Sequence, residues 1–371
     1  MSEKVLMKGN EAFSEAAIRG GSRYYFGYPI TPQNEIPEFM SRELPKRGGH
    51  FIQAESEIGA INMAYGAGAS GGRVFITSSS PGIALMQEGM SFLCSAEVPT
   101  VVLTVCRGGP GIGGIQPSQA DYFQVTRGGG NGDYKIPVFA PSSIQEGVDL
   151  IFEAMDLADK WQNPIVIYTD GILAQMMEPL VLPDPIPEIK YSDIKKLKPW
   201  ALTGYGDDDS KRVIVKSLRL QPDELEKHVE KLFKKYEIAE KELVRVETIG
   251  IEDAEIVFVA FGTVARITKE AIELLRDRGI KAGLIRPISL WPFPYDAFKN
   301  ITDKTKVVIS AELSMGQLIQ DVKIGIGDRL PLKLISRTGG MIPTSLEVAE
   351  RAEKIFKEIV TTHNPLPSLR A

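Results

Sequence analysis

The feature that most limits the possible folds of this chain is a repeated alternation between short apolar runs and helical patterns. In the first 180 residues, apolar runs such as residues 74–77 and 101–106 stand between segments with helical spacing. A continuous apolar run like residues 101–106 is typical of a strand that is covered on both faces. The same alternation resumes near residue 252. The pattern predicts an α/β protein built on mostly parallel, doubly wound sheets.

The chain divides by composition into three predicted parts. Residues 1–180 and 251–371 are two α/β units, of which the second is the smaller. Residues 181–250 begin with the proline-spaced segment VLPDPIPEI, and residues 223–246 are rich in charge and carry apolar residues at helical spacing. We therefore expect this middle part to be a linker with helices that crosses the surface and touches a partner.

Composition argues against several classes of function. The net charge is −5 and no dense basic stretch occurs, which argues against nucleic-acid and anionic membrane surfaces. No apolar run reaches the ~18 residues of a spanning helix, and no signal peptide is visible, so we expect a cytoplasmic protein. With two cysteines and three scattered histidines, the sequence predicts no metal site and no Ser-His-Asp triad. Cys94 and Cys106 are predicted to be buried small hydrophobes.

A stiff turn at the end of a predicted strand is the first candidate for chemistry. Two prolines, Pro29 and Pro32, bracket Thr31 in the sequence Gly-Tyr-Pro-Ile-Thr-Pro. Such strand ends are where α/β folds place ligands. A helix is predicted over residues 31–43, and Thr31 could equally be no more than its N-cap.

The second candidate opens a helix of small residues, predicted over residues 55–70. Glu57 shares a helix face with Ala54, Ala60 and Ile61. A partly desolvated carboxyl on this face could hydrogen bond a ring nitrogen and exchange a proton with it. Alternatively, Glu55 and Glu57 only favour the positive end of the helix dipole.

Two further strand ends carry polar or flexible residues. Ser78, Ser79, Ser80 and Gly82 could bind a polar group at a helix N-terminus or simply cap that helix. Arg107 could hold a carboxylate bidentately or be a surface loop arginine. The glycines of residues 108–114 do not open a helix, so they predict a lid rather than a dinucleotide site.

These motifs together resemble those of a known family. The segments GYPITPQNEI, QAESEIGAINMAYGA, TSSSPGIALMQEG and CRGGPGIGGIQPSQADYFQ are similar to the α subunit of 2-oxoacid:ferredoxin oxidoreductases, closest to the branched-chain (2-oxoisovalerate, or 3-methyl-2-oxobutanoate) type. The resemblance covers essentially the whole chain. It implies a pyrimidine-binding thiamine diphosphate domain in residues 1–180 and a transketolase C-terminal-like domain in residues 251–371.

The resemblance also implies a reaction and a set of partners. Enzymes of this family decarboxylate a 2-oxo acid with thiamine diphosphate, pass the acyl group to coenzyme A and pass electrons to ferredoxin. The diphosphate, its Mg²⁺ and the 4Fe–4S clusters are implied to lie in partner subunits. Those partners would be a thiamine-diphosphate-binding β subunit, a γ subunit and a ferredoxin-like cluster subunit, in a dimer of heteromers. No Gly-Asp-Gly…Asn or Cys-x-x-Cys motif occurs here, in agreement.

Residue roles follow from the same resemblance. Glu57 is similar to the glutamate that bonds the aminopyrimidine ring nitrogen, and Pro29 would lie against the cofactor. Thr31 and Arg107 resemble the residues that contact the substrate, Arg107 at its carboxylate. Glu55 stays an alternative to Glu57, because an offset of one alignment position would exchange them.

In one place the sequence departs from the family pattern. Many relatives read Thr-Ser-Gly-Pro-Gly where this chain reads Ser-Ser-Ser-Pro-Gly over residues 78–82. The departure leaves Ser79 and Ser80 without an assigned role.

The substrate stays open between two sets of residues. A branched-chain substrate needs apolar walls, which Ile30, Ile112, Ile115 and Tyr122 could supply. A 2-oxoglutarate substrate needs a second cation, which Arg127 could supply, because an unpaired buried charge is costly. An aryl 2-oxo acid, or a non-catalytic scaffold subunit with the same fold, are the remaining alternatives.

Overall fold

The computed structural model describes residues 4–187, 189–204 and 213–363. Its strands are β1 (Val5–Lys8), β2 (Tyr24–Gly27), β3 (His50–Gln53), β4 (Val74–Ser79), β5 (Thr100–Cys106), β6 (Val138–Phe139), β7 (Pro164–Asp170), β8 (Met177–Leu180), β9 (Val246–Ile249), β10 (Ile256–Val259), β11 (Ala282–Pro287), β12 (Ser289–Trp291), β13 (Val307–Glu312) and β14 (Leu332–Ser336).

The helices alternate with these strands. They are α1 (Gly9–Arg19), α2 (Glu35–Glu43), α3 (Glu57–Ala69), α4 (Ser80–Ala96), α5 (Tyr122–Arg127), α6 (Ile144–Trp161), α7 (Gly171–Gln175), α8 (Tyr191–Leu197), α9 (Pro222–Glu242), α10 (Gly262–Asp277), α11 (Leu318–Ile326) and α12 (Ser345–His363), with short 3₁₀ helices at Pro45–Arg47 and Tyr295–Asn300.

The first sheet has seven strands in the order β12-β6-β7-β5-β4-β2-β3. All neighbours are parallel except β12, which runs antiparallel to β6. Alternate residues of its strands enter different cores. Phe75 and Val101 pack with α1, α2 and α6 on one face, while Ile76 and Val102 pack with α3 and α4 on the other. The predicted doubly wound α/β fold is therefore confirmed.

The second sheet has five strands in the order β14-β13-β10-β11-β9, parallel except for β9. One face packs on α10 and α12. The other face presents Val257, Val259 and Ile285 to the same apolar cluster that contains Ile76 of the first sheet. One continuous core therefore joins the two α/β units.

The strand pairing does not follow the division that the sequence predicts at residue 250. β9 precedes that position yet belongs to the second sheet, and β12 follows it yet belongs to the first. The division into residues 1–180, 181–250 and 251–371 stays a prediction.

Several elements differ from the sequence-based expectations. The helix expected over residues 31–43 begins only at Glu35, because residues 28–34 form an irregular turn. The antiparallel pair β1 and β8 and the helix α11 were not predicted. The charge-rich segment does form one long helix, α9, as expected.

A buried arginine links the two units. Arg286 on β11 is 5% exposed and donates to both carboxylate oxygens of Glu146 on α6, at 2.8 and 3.0 Å. It also donates to Glu247 on β9.

Within the described ranges, no helix is long and apolar enough to cross a membrane.

Candidate active site

The predicted site residues come together at the carboxyl edge of four adjacent strands. β5, β4, β2 and β3 are neighbours in that order, and all run parallel. The segments that follow them carry Arg107, Ser80, Thr31 and Glu57, respectively. Parallel sheets bind ligands at this edge, so the four segments surround one candidate site.

Amide side chains hold the turn after β2 in place. The Pro32 carbonyl accepts hydrogen bonds from Asn10 Nδ2 at 2.9 Å and from Gln175 Nε2 at 2.7 Å. Fully buried Gln33 accepts from Thr77 Oγ1 at 2.6 Å. These anchors fix the backbone of the turn, while Pro29 at its tip is exposed. None of these three amides was predicted from the sequence, although their residue type suits this task.

Thr31 is not the cap of the helix that follows. Asn34 occupies the N-cap position of α2, and Thr31 Oγ1 accepts a hydrogen bond of 3.3 Å from Asn34 Nδ2. The Thr31 carbonyl accepts a 3.0 Å hydrogen bond from Arg107 Nη1. The structure therefore joins two of the predicted substrate residues directly, through the backbone of one and the side chain of the other.

Glu57 is a buried carboxylate at the first position of α3. It is 4% exposed, and its Oε1 accepts a hydrogen bond of 3.1 Å from Ser78 Oγ on β4. The preceding Ser56 caps the helix by accepting from Gly59 N at 3.2 Å. Glu55 is exposed, and its carboxylate lies beside Gly59 instead. The two glutamates of this segment thus occupy opposite environments.

A glycine makes room for the Glu57 side chain. A Cβ atom added at Gly82, in the first turn of α4, would lie 2.1 Å from Glu57 Oε1 and 2.0 Å from Ser78 Oγ. Any side chain at position 82 would therefore displace the carboxylate. From the sequence, Gly82 was predicted only to belong to a segment that binds a polar group at a helix N-terminus or caps that helix.

Arg107 is a buried guanidinium whose described partners are neutral. It is 6% exposed, and its Nη2 donates to the Ile112 carbonyl at 2.9 Å, in addition to the bond with Thr31. Its Nε has no hydrogen-bond partner among the residues that the structure describes. In the described parts of the chain, it forms no salt bridge. A carboxylate from outside the chain would supply the missing countercharge.

The lid that starts at Arg107 rests on the second α/β unit. Gln119, near the end of the lid, donates to the Phe261 carbonyl at 3.0 Å and accepts from Leu313 N at 3.1 Å. Gly340 lies so close to Gln116 that an added Cβ would approach its side chain to 2.3 Å. The loop at residues 339–343 therefore contacts the lid.

Two of the residues considered for substrate choice are already engaged in contacts within the chain. Arg127, the possible second cation, donates to both oxygens of Asp321 at 2.7 and 2.8 Å and is already paired. Tyr122 is fully buried and donates to the same Asp321 at 2.7 Å, so it forms no open wall. Ile112 and Ile115 are 79% and 56% exposed on the lid.

The remaining predictions concern the two cysteines and possible metal ligands. Both cysteines are free and fully buried, as predicted. In the part of the chain that the structure describes, no group of three or more His, Cys, Asp or Glu residues could hold a metal ion.

Two family profiles match almost the whole chain. Residues 15–248 match the profile described as pyruvate flavodoxin/ferredoxin oxidoreductase, thiamine diphosphate-binding. Residues 254–348 match the profile of the pyruvate:ferredoxin oxidoreductase core domain II.

Curated relatives are similar over nearly their full length. The ketoisovalerate oxidoreductase subunit VorB of Methanothermobacter thermautotrophicus is 44% identical over 94% of this chain and 97% of its own. The 2-oxoglutarate synthase subunit KorA of Methanocaldococcus jannaschii is 36% identical, over 92% and 98%.

Solved structures show the same fold. The 2-oxoglutarate:ferredoxin oxidoreductase from Magnetococcus marinus, with 2-oxoglutarate, coenzyme A and succinyl-CoA bound, superposes with a TM-score of 0.84 at 26% identity. The match covers 96% of this chain and 66% of that one. A split-gene transketolase, at 15% identity and a TM-score of 0.57, shares the fold alone. The chain therefore belongs to the 2-oxoacid:ferredoxin oxidoreductase family, as a subunit of an oxidoreductase that acts on 2-oxo acids.

Proposed function

We propose that this chain holds the aminopyrimidine end of thiamine diphosphate and the carboxylate of a branched-chain 2-oxo acid. The observation that carries the proposal is a pair of buried, oppositely charged groups at one sheet edge. Glu57 and Arg107 are 4% and 6% exposed, and neither has a salt-bridge partner among the described residues. Because isolated buried charges are costly, such groups are expected to have partners outside the chain.

The surroundings of Glu57 fit the proposed cofactor. Its carboxylate lies in a cradle that a Cβ at position 82 would fill, and it accepts one hydrogen bond, from Ser78. A carboxylate held this way could hold a proton at a ring nitrogen. Exposed Pro29 offers a rigid apolar surface on the neighbouring turn. When bound, thiamine diphosphate supplies the electron sink that decarboxylation requires.

Arg107 and Thr31 are the proposed substrate residues. The guanidinium would bind the carboxylate of the 2-oxo acid, because it is held at the site edge by two neutral carbonyls and carries an unused buried Nε. Thr31 would lie beside that carboxylate, because its own carbonyl is one of these two acceptors. Both residues orient the substrate rather than react with it.

The composition of the lid favours a 2-oxo acid with a branched-chain, apolar side chain. Residues 108–116 carry no charge, and their large side chains include the exposed Ile112 and Ile115. The possible second cation, Arg127, is neutralised by Asp321. The relative with the higher identity of the two named above is a ketoisovalerate oxidoreductase subunit. A distal carboxylate, as in 2-oxoglutarate, would find no free cation on this lid.

The remaining components are proposed to lie in partner subunits. These are the diphosphate site with its Mg²⁺, the 4Fe–4S clusters, and the β, γ and ferredoxin-like subunits of a dimer of heteromers. The relatives are themselves named as subunits, which supports an assembly of this kind. The cytoplasm remains the proposed location, on the sequence grounds given above.

The role of Glu57 is tested in the complex reconstituted from this chain and its partner subunits. Glu57→Gln keeps the size and the hydrogen bond with Ser78 but removes the charge and the proton exchange. We expect kcat to fall about 10²- to 10⁴-fold, the usual contribution of a positioned acid–base group. Assembly, followed by size-exclusion chromatography, should be unchanged.

Glu55→Gln is the matched control, two residues away and exposed. Its kcat should stay within about twofold of the wild type. A larger loss for Glu55→Gln than for Glu57→Gln would exchange the two roles. Full activity of both variants would favour a non-catalytic scaffold.

Substrate choice is tested by steady-state rates of the same complex on 2-oxoisovalerate, 2-oxoglutarate, pyruvate and an aryl 2-oxo acid. We expect the highest kcat/KM for 2-oxoisovalerate. A higher value for 2-oxoglutarate would contradict the branched-chain assignment and point to a cation from a partner subunit.

A further inference from the structure

The Ser80 side chain contacts the backbone of Arg107 through its hydroxyl group. Its hydroxyl oxygen accepts a hydrogen bond of 2.9 Å from Arg107 N and lies 3.2 Å from the Arg107 carbonyl oxygen. The same hydroxyl is hydrogen bonded to Asp121 Oδ2. One side chain thus contacts both polar backbone atoms of the proposed substrate residue and the residue at the far end of the lid.

Asp121 completes this connection from the other side. It immediately precedes α5, and its Oδ2 also accepts a hydrogen bond of 3.1 Å from Cys106 Sγ. It forms no salt bridge in the described parts of the chain. Burial raises the pKa of the Asp121 carboxyl, and the hydrogen bonds from Ser80 and Cys106 oppose that rise. The start of the lid, at Cys106 and Arg107, is therefore joined to its end through one carboxyl group.

The position of the Arg107 guanidinium depends on its backbone. Its own described hydrogen bonds reach two carbonyls, of which Ile112 belongs to the glycine-rich lid itself. No ion pair with another residue that the structure describes fixes it. A small displacement of the guanidinium would weaken its contact with the substrate carboxylate. An anchor for the Arg107 backbone therefore matters more here than beside a salt-bridged arginine.

We propose that Ser80 and Asp121 are positioning residues for Arg107, which set its backbone so that the guanidinium meets the substrate carboxylate. This inference rests on the proposed role of Arg107. It assigns a role to the serine at which this chain departs from the Thr-Ser-Gly-Pro-Gly pattern. A glycine at position 80 would have no hydroxyl and could not supply this anchor.

The test compares Ser80→Ala with Ser79→Ala in the reconstituted complex. Ser79 is the adjacent buried serine, and its hydroxyl has no hydrogen-bond partner, so it is a closely matched control. We expect Ser80→Ala to raise KM for the 2-oxo acid about tenfold, the size expected for losing one hydrogen bond that positions a charged group. Its kcat should change less than threefold. Ser79→Ala should leave both parameters unchanged.

Three further measurements separate positioning from a general structural role. Asp121→Asn keeps a polar group beside Ser80 and should raise KM less than Ser80→Ala does. The apparent affinity for thiamine diphosphate should stay at its wild-type value in all three variants. Ser80→Ala leaves Arg107 N without its acceptor, so a lower melting temperature is expected, but the complex should remain folded at the assay temperature. A KM for the 2-oxo acid that rises only at temperatures at which the variant begins to unfold would overturn the proposal in favour of simple destabilisation.

Arg107→Met distinguishes this inference from the function on which it rests. If Arg107→Met raises KM strongly while Ser80→Ala does not, only the role of Ser80 and Asp121 is wrong. If Arg107→Met leaves KM unchanged, the proposed substrate role of Arg107 is wrong and there is nothing for Ser80 to position.

Discussion

At the scale of single residues, the candidate site depends on the lack of a side chain at position 82 as much as on the side chains around it. Gly82 leaves the space in which Glu57 and Ser78 meet, and no other residue type would. A helix that starts with Ser80 and Pro81 would otherwise gain stability from alanine at position 82. The glycine therefore gives up helix propensity in exchange for the position of a carboxylate.

Gly82→Ala should lower activity without unfolding the protein. The added Cβ would push against the ends of two side chains, which can move, rather than against backbone. We expect a loss of at least tenfold in kcat/KM, because Glu57 is displaced, with a change in unfolding free energy below about 1 kcal/mol.

The control for this substitution is Gly66→Ala on α3, where an added Cβ meets nothing within 4 Å. That variant should keep its activity and be up to about 1 kcal/mol more stable in urea unfolding. Wild-type activity in Gly82→Ala would show that Glu57 does not need its observed position.

Local patterns predict charged site residues better than they predict contacts between them. Glu57 and Arg107 follow strand patterns closely, so their place at the sheet edge could be expected. The contact between Ser80 and Asp121 joins positions 41 residues apart, and that between Ser78 and Glu57 joins positions 21 apart. Periodicity within one element carries no information about such pairs.

At the scale of elements, the lid is a loop fixed at its base and open at its tip. Gln119 attaches the base to Leu313, in the loop between β13 and α11. That loop is organised by buried Glu312, whose carboxylate accepts hydrogen bonds from Gln317 N, Leu318 N and Ile319 N at 2.8 to 3.1 Å. Glu312 therefore holds the first turn of α11, and the base of the lid is attached to the next residue of the chain, Leu313.

Glu312→Ala should destabilise the protein and weaken the lid. It leaves backbone donors at the start of α11 without their acceptor, so we expect a loss of about 2–4 kcal/mol in unfolding free energy by urea titration. Exposed Glu350 on α12 provides the control, and Glu350→Ala should change stability by less than about 0.5 kcal/mol. Equal effects of the two substitutions would contradict the capping role.

At the scale of the whole molecule, charge and apolar packing join the two α/β units. Glu247 on β9 lies between Lys269 and Arg286, and Arg286 also forms an ion pair with Glu146 of the first unit. Burial tends to raise the pKa of Glu247, but the hydrogen bonds from Lys269 and Arg286 outweigh this and hold the pKa below its usual value. Stability from this group is therefore present above its unfolded pKa and is lost as the pH falls through the folded value.

Glu247→Gln should lower the melting temperature most at neutral pH. The difference from the wild type should narrow as the pH falls through the lowered pKa of the folded carboxyl, because the wild-type carboxyl then also becomes neutral. Melting curves from pH 3 to pH 8 measure this, with Glu273→Gln on exposed α10 surface as the control. A difference that stays constant with pH would mean that the charge of Glu247 is not the cause.

The two-unit α/β architecture could be predicted because its central strands are long apolar runs with turn residues after them. The strands that were missed have weaker signals. β1 and β8 form a separate two-stranded pair with mostly exposed residues, and β12 spans only Ser289–Trp291 within a proline-rich segment. Their pairing depends on tertiary contacts that a local pattern does not contain.

The position of β12 has a consequence for how this gene could be rearranged. Because β12 crosses from the second unit to close the edge of the first sheet beside β6, the two units are interleaved along the chain. A gene break placed between the units, near residue 250, would separate β6 from its neighbour and leave its backbone open to aggregation. Fission or domain exchange in this family would therefore need to keep β12 with the first unit, whichever polypeptide carries the rest.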